Sequence, residues 1–118
     1  MPDLLNYVGG RAVPSLSGRW FDVYEPATGQ VYTRAPESAV GDVERAVEAA
    51  RSALPDWRDL PGAERAAWLN RIADLIERDF DAFARAESQD TGKPLSLARS
   101  LDIPRAIANL RFFAGAAT

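Results

Sequence analysis

Residues 90–94, which read Asp-Thr-Gly-Lys-Pro, are the part of this chain that most invites a chemical interpretation. A glycine followed by a lysine is the centre of the phosphate-binding loop, where backbone N–H groups and the ammonium group hold a nucleotide's phosphates. That loop also needs a glycine five residues earlier and a Ser or Thr after the lysine, but this chain has Glu87 and Pro94 there. The glycines of the first twenty residues likewise lack the Gly-x-Gly-x-x-Gly spacing of dinucleotide sites. We therefore predict no nucleotide-binding motif in this chain.

Cysteine and histidine are both absent from the 118 residues. Without cysteine there can be no disulfide, no thiolate metal site and no cysteine nucleophile. Without histidine the commonest general base and metal ligand is missing as well. The sequence therefore excludes a cysteine nucleophile and a histidine base in this chain.

Two charged side chains remain as candidates for binding. Arg105 shares a helix face with Asn109 and Phe112, and its planar guanidinium matches the geometry of a carboxylate. On the residue alone, a surface ion pair with Asp102, three residues earlier, is the simpler interpretation. Asp90 is by its type a polar residue at a helix end, for which a local hydrogen bond is the simplest role.

Apolar residues at helical spacing predict three or four helices after residue 37. The first covers residues 40–54 and is ended by Pro55, which leaves Trp57 in a connector. The second begins at Pro61 and buries residues 69, 72, 73 and 76, with an i,i+4 ion pair between residues 74 and 78 on its outer face. A third helix ends at Gly92, which can adopt the left-handed backbone conformation that closes a helix.

The last predicted helix covers residues 95–117 and is apolar on more than one side. Pro104 lies in its interior and should bend it, because proline removes one backbone hydrogen bond. One side carries Ile103, Ile107, Leu110 and Ala114. Another side carries Arg105, Ala108 and Phe112. A helix that is apolar nearly all round is normally covered on both sides. The 118 residues do not obviously supply that cover, so we expect the chain to be cut from a longer one.

Residues 1–36 are predicted to be a β-hairpin region. Gly9 and Gly10 indicate a turn between two short apolar runs. Residues 20–24 and 31–34 are rich in β-branched and aromatic side chains and form strands. Gly29 supplies the positive φ that the connecting turn needs. We expect a peripheral hairpin lying on a larger body.

Composition limits the partners. The formal net charge is −3 and basic residues alternate with acidic ones, so nucleic acids and anionic membranes are not expected as partners. No apolar run approaches the roughly 18 residues of a membrane span, and no secretory signal is visible. The sequence therefore predicts a cytoplasmic protein.

Several short runs together resemble one family. They are residues 25–29 (EPATG), 42–50, 57 with 65, 90–94 (DTGKP), 101–103 (LDI) and 111–115 (RFFAG). In this order and spacing they resemble the N-terminal part of the NAD(P)-dependent aldehyde dehydrogenases, and the likeness extends from about Tyr7 to Gly115. Residues 96–105 are most similar to the muconic semialdehyde branch of that superfamily.

The resemblance implies an α/β parent fold with a doubly wound coenzyme-binding domain. Residues 1–118 would be the incomplete N-terminal part of that domain, with a hairpin region at 1–36 and a helical region at 37–118. The parent enzyme would oxidise an aldehyde to the acid with NAD or NADP, through a thiohemiacetal and a thioester on a cysteine. That cysteine, the glutamate base and the nucleotide-binding unit lie later in family members, which form dimers or tetramers. The chain by itself is therefore predicted to be inactive and to bind no cofactor.

The resemblance also implies roles for the two binding candidates. This part of the last helix lines the substrate tunnel in the family, so Arg105 would bind the remote carboxylate of a muconic semialdehyde. Asp90 lies where many family members hold a structural monovalent cation. The main-chain carbonyls that accompany it would be those of Val23 and Tyr24, and oxygen ligands suit such a hard cation.

A freestanding helical interaction module without chemistry is the alternative. The missing cysteine and histidine and the apolar last helix favour it, because such a helix could bind a partner. The family motifs in register favour the dehydrogenase, since an unrelated module has no reason to carry them.

Overall fold

The structure, a computed structural model, describes residues 2–118. The chain divides into two compact units, Met1–Arg58 and Asp59–Thr118. Hairpins occupy the chain up to residue 36 and helices follow from residue 40, as expected. The compact units divide later, because the first long helix belongs to the same unit as the hairpins. The strands are β1 (Asn6–Val8), β2 (Arg11–Val13), β3 (Trp20–Glu25) and β4 (Gln30–Pro36).

Two antiparallel hairpins make up the strand part of the first unit. One pairs β1 with β2, and the other pairs β3 with β4. Gly29 has φ +70°, which confirms the predicted left-handed residue in the second turn. The pairing shifts between Val23, which lies opposite Thr33, and Tyr24, which lies opposite Val31. This β-bulge interrupts the regular alternation of carbonyl directions along the hairpin.

Helix α1 (Val40–Asp59) completes the first unit and is longer than predicted. The prediction that Pro55 ends it, with Trp57 in a connector, was wrong, because both residues lie within the helix. A proline removes only its own N–H bond and crowds the previous turn, so a helix can continue beyond it when the following residues still favour helix. Helix α1 ends instead at Asp59, shortly before Pro61.

Helices α2 (Gly62–Arg78), α3 (Phe80–Thr91), the single turn α4 (Leu95–Leu97) and α5 (Ile103–Ala116) form the second unit. Gly92 follows α3 with φ +75° and its N–H donates to the Ser88 carbonyl, which confirms the predicted helix end. The core between the helices is small. It consists of Ala73, Ala84, Ala98, Ile103 and Ile107, with partly buried Ile76, Phe80, Leu95 and Leu110 around it.

The last predicted helix is divided by a π-helical turn at Ala98–Asp102. Pro104 therefore lies in the first turn of α5 rather than in a helix interior. A π turn carries one extra residue, which moves the carbonyl that a proline ring would otherwise strike. The predicted bend at Pro104 stays a prediction, but the helix is irregular directly before this residue. Of the two sides that were expected to be covered, only the side of Ile103, Ile107 and Ala114 is buried by residues 2–118.

No helix among residues 2–118 has both the length and the apolar character needed to cross a bilayer.

Candidate functional site

Lys93 lies at the centre of a polar cluster between the end of α3 and the start of α5. The Ser88 hydroxyl donates to its carbonyl at 2.6 Å, and its own N–H donates to the Thr91 hydroxyl at 3.3 Å. Its ammonium group donates to both carboxylate oxygens of Asp102, at 3.0 and 3.1 Å. A second carboxylate, that of Glu87, lies 3.6 Å from the same nitrogen. Both the backbone and the side chain of Lys93 are thus held in place.

The hydrogen bond with Asp102, followed by the charges of Asp102 and Glu87, keeps the pKa of Lys93 above its ordinary value of 10.5. Lys93 is therefore a cation at all physiological pH values. Its ion pair joins the loop after α3 to the last residue of the π turn, nine residues later. We expected Asp102 to pair with Arg105 if no ligand engaged the arginine, but the structure gives that carboxylate to Lys93.

Arg105 lies on the exposed side of α5, in the turn that follows Pro104. Among residues 2–118 it has no ion-pair partner, since Asp102 is taken by Lys93. Asn109 and Phe112, which were predicted to share its face, are also exposed. Phe112 exposes 70% of its surface. This face of α5 therefore presents a guanidinium beside an amide and an aromatic ring.

Further ion pairs on the surface link the π turn and the helices to one another. Arg99 in the π turn pairs with Asp81 of α3 at 3.1 Å. Arg111 of α5 donates to Asp74 and Glu77 of α2, each at 2.9 Å. The predicted pair between residues 74 and 78 was wrong, because Asp74 pairs with Arg111 of a neighbouring helix. The residue spacing within α2 could not reveal that partner.

The three predicted cation ligands lie in different elements. Val23 and Tyr24 belong to β3, at the bulge in its pairing with β4. Asp90 is the penultimate residue of α3. Among residues 2–118 no cluster of three or more acidic, His or Cys side chains could hold a metal ion, but main-chain carbonyl ligands fall outside that criterion. The cation site stays a prediction.

Asp42 has a role that the sequence only suggested. One of its carboxylate oxygens accepts from the N–H of Ala39, which precedes α1, and the other accepts from the N–H of Leu16. These two backbone donors hold the pKa of Asp42 below its ordinary value of 3.8. The bond to Ala39, three residues away, could have been recognised as half of a capping box, but the bond to Leu16 could not.

Residues 2–118 contain no parallel βαβ unit. Both two-stranded sheets are antiparallel, whereas dinucleotide sites use the turn of a parallel βαβ unit. The expectation that this chain binds no cofactor stays a prediction.

Large apolar side chains remain exposed in unusual number. Twenty of them are exposed among residues 2–118, while no large side chain in that range is fully buried. The predicted apolar stripe of α1 is one example, with Val43, Val47 and Leu54 all exposed. The predicted burial of residue 72 was also wrong, since Ile72 exposes 45% of its surface. Residues 2–118 thus bury few of the apolar stripes that their helices carry.

The described residues thus form two antiparallel hairpins followed by helices, with a charged cluster around Lys93. A model of the aldehyde dehydrogenase family matches residues 13–118. The chain therefore belongs to the aldehyde dehydrogenase family, as its sequence motifs indicated.

Three similar proteins illustrate the relationship. The human 2-aminomuconic semialdehyde dehydrogenase is 48% identical over 111 residues, which cover 94% of this chain and 22% of that protein. The 2-hydroxymuconic semialdehyde dehydrogenase of Pseudomonas sp. strain CF600 is 46% identical over 115 residues, or 97% of this chain and 24% of its own length. Among solved structures, PnpE in complex with nicotinamide adenine dinucleotide, from Pseudomonas sp. WBC-3, is 40% identical with a TM-score of 0.92. That match covers 98% of this chain and 23% of PnpE. The chain thus spans somewhat less than a quarter of each of these proteins.

Proposed function

We propose that this chain is the amino-terminal segment of an enzyme that oxidises a carboxylated semialdehyde to the acid with NAD or NADP. The observation that carries the proposal is the state of Arg105, an exposed guanidinium without an ion-pair partner in residues 2–118. Two of the similar proteins are named for muconic semialdehydes. A muconic semialdehyde carries a carboxylate remote from its aldehyde, and a guanidinium fork recognises that group well.

In this proposal the chain contributes to substrate binding and not to bond making. Arg105 orients the substrate by its carboxylate, and the exposed ring of Phe112 contributes apolar surface on the same side of α5. Oxidation of the aldehyde is left to a cysteine nucleophile and a nicotinamide cofactor held elsewhere in the enzyme. PnpE supports the choice of NAD, because its structure contains that dinucleotide. A homo-oligomeric state, dimer or tetramer, and a cytoplasmic location remain predictions from the sequence.

The coding frame beyond Thr118 provides the first test. If it continues through a glycine-rich strand-to-helix turn and a cysteine nucleophile, the encoded enzyme can be assayed. A stop codon directly after Thr118 would contradict the proposal, because this chain alone has neither nucleophile nor cofactor site.

The second test is kinetic and uses the full-length enzyme. Arg105→Ala should raise KM for a carboxylated semialdehyde by about tenfold or more, since a charge-assisted hydrogen bond is lost. KM for an uncharged aldehyde should change little. Arg105→Lys, which keeps the charge but not the fork, should lie between the two. Arg19→Met is a suitable control, because it removes one exposed arginine from an ion pair with Glu37. Equal losses for both substrates would rule out carboxylate binding by Arg105.

A helical interaction module without chemistry is the second candidate. The exposed apolar side chains favour it, because such surfaces bind other proteins or other parts of the same protein. The two candidates differ in the full-length product: an interaction module would show no NAD(P)-dependent oxidation of any aldehyde.

A further inference from the structure

The Lys93–Asp102 ion pair lies one helical turn before Arg105. Asp102 directly precedes α5 and has α-helical backbone angles, so its side chain and that of Arg105, three residues later, are neighbours on the helix surface. A carboxylate at this spacing is a natural partner for a guanidinium. The structure nevertheless pairs Asp102 with Lys93, through both of its carboxylate oxygens.

The surroundings of Asp102 explain why its carboxylate would pair with Arg105 if Lys93 were absent. The side chain of Asp102 is only 21% exposed, so water compensates its charge less completely than on an open surface. The other arginine at helical spacing, Arg99, already pairs with Asp81. Glu87, the second carboxylate beside Lys93, adds negative charge and no cation. Arg105 is therefore the nearest cation along the helix that lacks an ion-pair partner in residues 2–118.

From this arrangement we infer that Lys93 is a positioning residue for substrate binding. By holding the carboxylate of Asp102, it keeps the guanidinium of Arg105 available for the carboxylate of the substrate. This inference rests on the proposed function, in which Arg105 binds that carboxylate. It assigns specificity to an ion pair that does not itself touch the substrate.

The backbone around Lys93 suits this role. Ser88 and Thr91 hold its carbonyl and its N–H, so the ammonium group is directed at Asp102 by a fixed loop. Because the loop backbone is already ordered, the pairing of Lys93 with Asp102 costs only the entropy of the lysine side chain. The competition is modest, because intrahelical ion pairs at exposed positions are weak.

The test compares variants of the full-length enzyme with a carboxylated semialdehyde and with an uncharged aldehyde. Lys93→Met keeps most of the unbranched apolar stem, removes the charge and leaves Asp102 able to pair with Arg105. It should raise KM for the carboxylated substrate roughly two- to fivefold, with kcat unchanged and with no change for the uncharged aldehyde. Lys93→Arg should keep the wild-type KM, because it preserves a cation for Asp102.

The double variant Lys93→Met with Asp102→Asn separates this role from a purely structural one. If Asp102 competes for Arg105, its removal restores the wild-type KM. If the ion pair merely braces the fold, the double variant stays impaired, and that result overturns the inference. Arg19→Met serves as the control for a lost positive charge and should leave KM unaltered.

Failure of the inference can be told apart from failure of the proposed function. If Arg105→Ala impairs the carboxylated substrate selectively and Lys93→Met does not, only the inference falls. If Arg105→Ala affects both substrates equally, the proposed function falls and the inference with it. Should Lys93→Met fail to fold, Asp102→Asn alone suffices: it should leave KM unchanged or lower it, and a higher KM would overturn the role given to Lys93.

Discussion

Gly62 and Gly115 give a matched pair of substitutions for which the structure predicts opposite results. Each lies in a helix, so alanine should stabilise the backbone by up to about 1 kcal/mol at either position on helix propensity alone. A methyl group added at Gly62 would lie 2.2 Å from the carbonyl oxygen of Ala117, whereas one at Gly115 meets no heavy atom within 4 Å. Only packing distinguishes the two sites.

The size of the clash sets the expected effect. Cβ atoms essentially never approach another heavy atom closer than 3.0 Å, so the end of α5 or the start of α2 must move by about 0.8 Å. The neighbour is backbone and cannot rotate away as a side chain would. Forced overpacking of this kind costs about 1–3 kcal/mol. After a full propensity gain is subtracted, Gly62→Ala should destabilise the second unit by up to about 2 kcal/mol.

Thermal and urea unfolding of the 118-residue chain, followed by far-ultraviolet circular dichroism, would measure both effects. For a unit of this size 1 kcal/mol corresponds to about 4–8 °C in Tm, so Gly62→Ala should melt below wild type and Gly115→Ala above it. In a chain that ends at Ala116 the cost of Gly62→Ala should disappear, because the clashing carbonyl is gone. A Gly62→Ala protein as stable as wild type would refute the assigned packing of α2 against the end of α5.

Three further predictions test the core, the cap of α1 and the cation site. Ile107→Ala should lower the free energy of unfolding in urea by about 2–4 kcal/mol, because Ile107 is buried in the small core. The same change at exposed Ile72 should lower it by under about 1 kcal/mol. Similar losses for both variants would contradict the assignment of Ile107 to the core. Because the folded pKa of Asp42 is depressed, its contribution is complete above its ordinary pKa of 3.8 and is lost as pH falls through the lower folded value. The Tm difference between wild type and Asp42→Asn should therefore shrink between pH 5 and pH 2 (roughly the window where a depressed carboxyl titrates); a constant difference would argue against the cap. Finally, potassium chloride should raise the Tm of the full-length enzyme above that in choline chloride, and Asp90→Asn should abolish that difference if the predicted cation site exists.

Local features of the fold were predictable because they depend on a few neighbouring residues. The hairpin of β3 and β4 follows from its β-branched strands and from Gly29, and the end of α3 follows from Gly92. The family was also visible in the sequence, since its motifs occur in the right order and spacing. Pro55 was misjudged because a proline's effect depends on whether the residues after it still favour helix, and here they do.

The charged site was only half predictable. Arg105 stood out by its residue type and by its place on α5, and the structure leaves it exposed. Its relation to Asp102 was misread, because helical spacing reveals partners on one helix but not a lysine nine residues earlier on a loop. Lys93 was considered only as part of a failed phosphate loop, and its actual partner could be seen only in three dimensions.

The sequence by itself determined most of the elements of this chain, its family and the absence of a cysteine nucleophile and a histidine base. These are properties of residue type, spacing and local backbone preference, which act over one or two helical turns. The tertiary structure alone decided which apolar stripes are buried and which carboxylate each cation binds. Burial and ion pairing depend on which side chains of other elements lie nearby in three dimensions. Helices α1 and α5 carry more apolar surface than residues 2–118 cover.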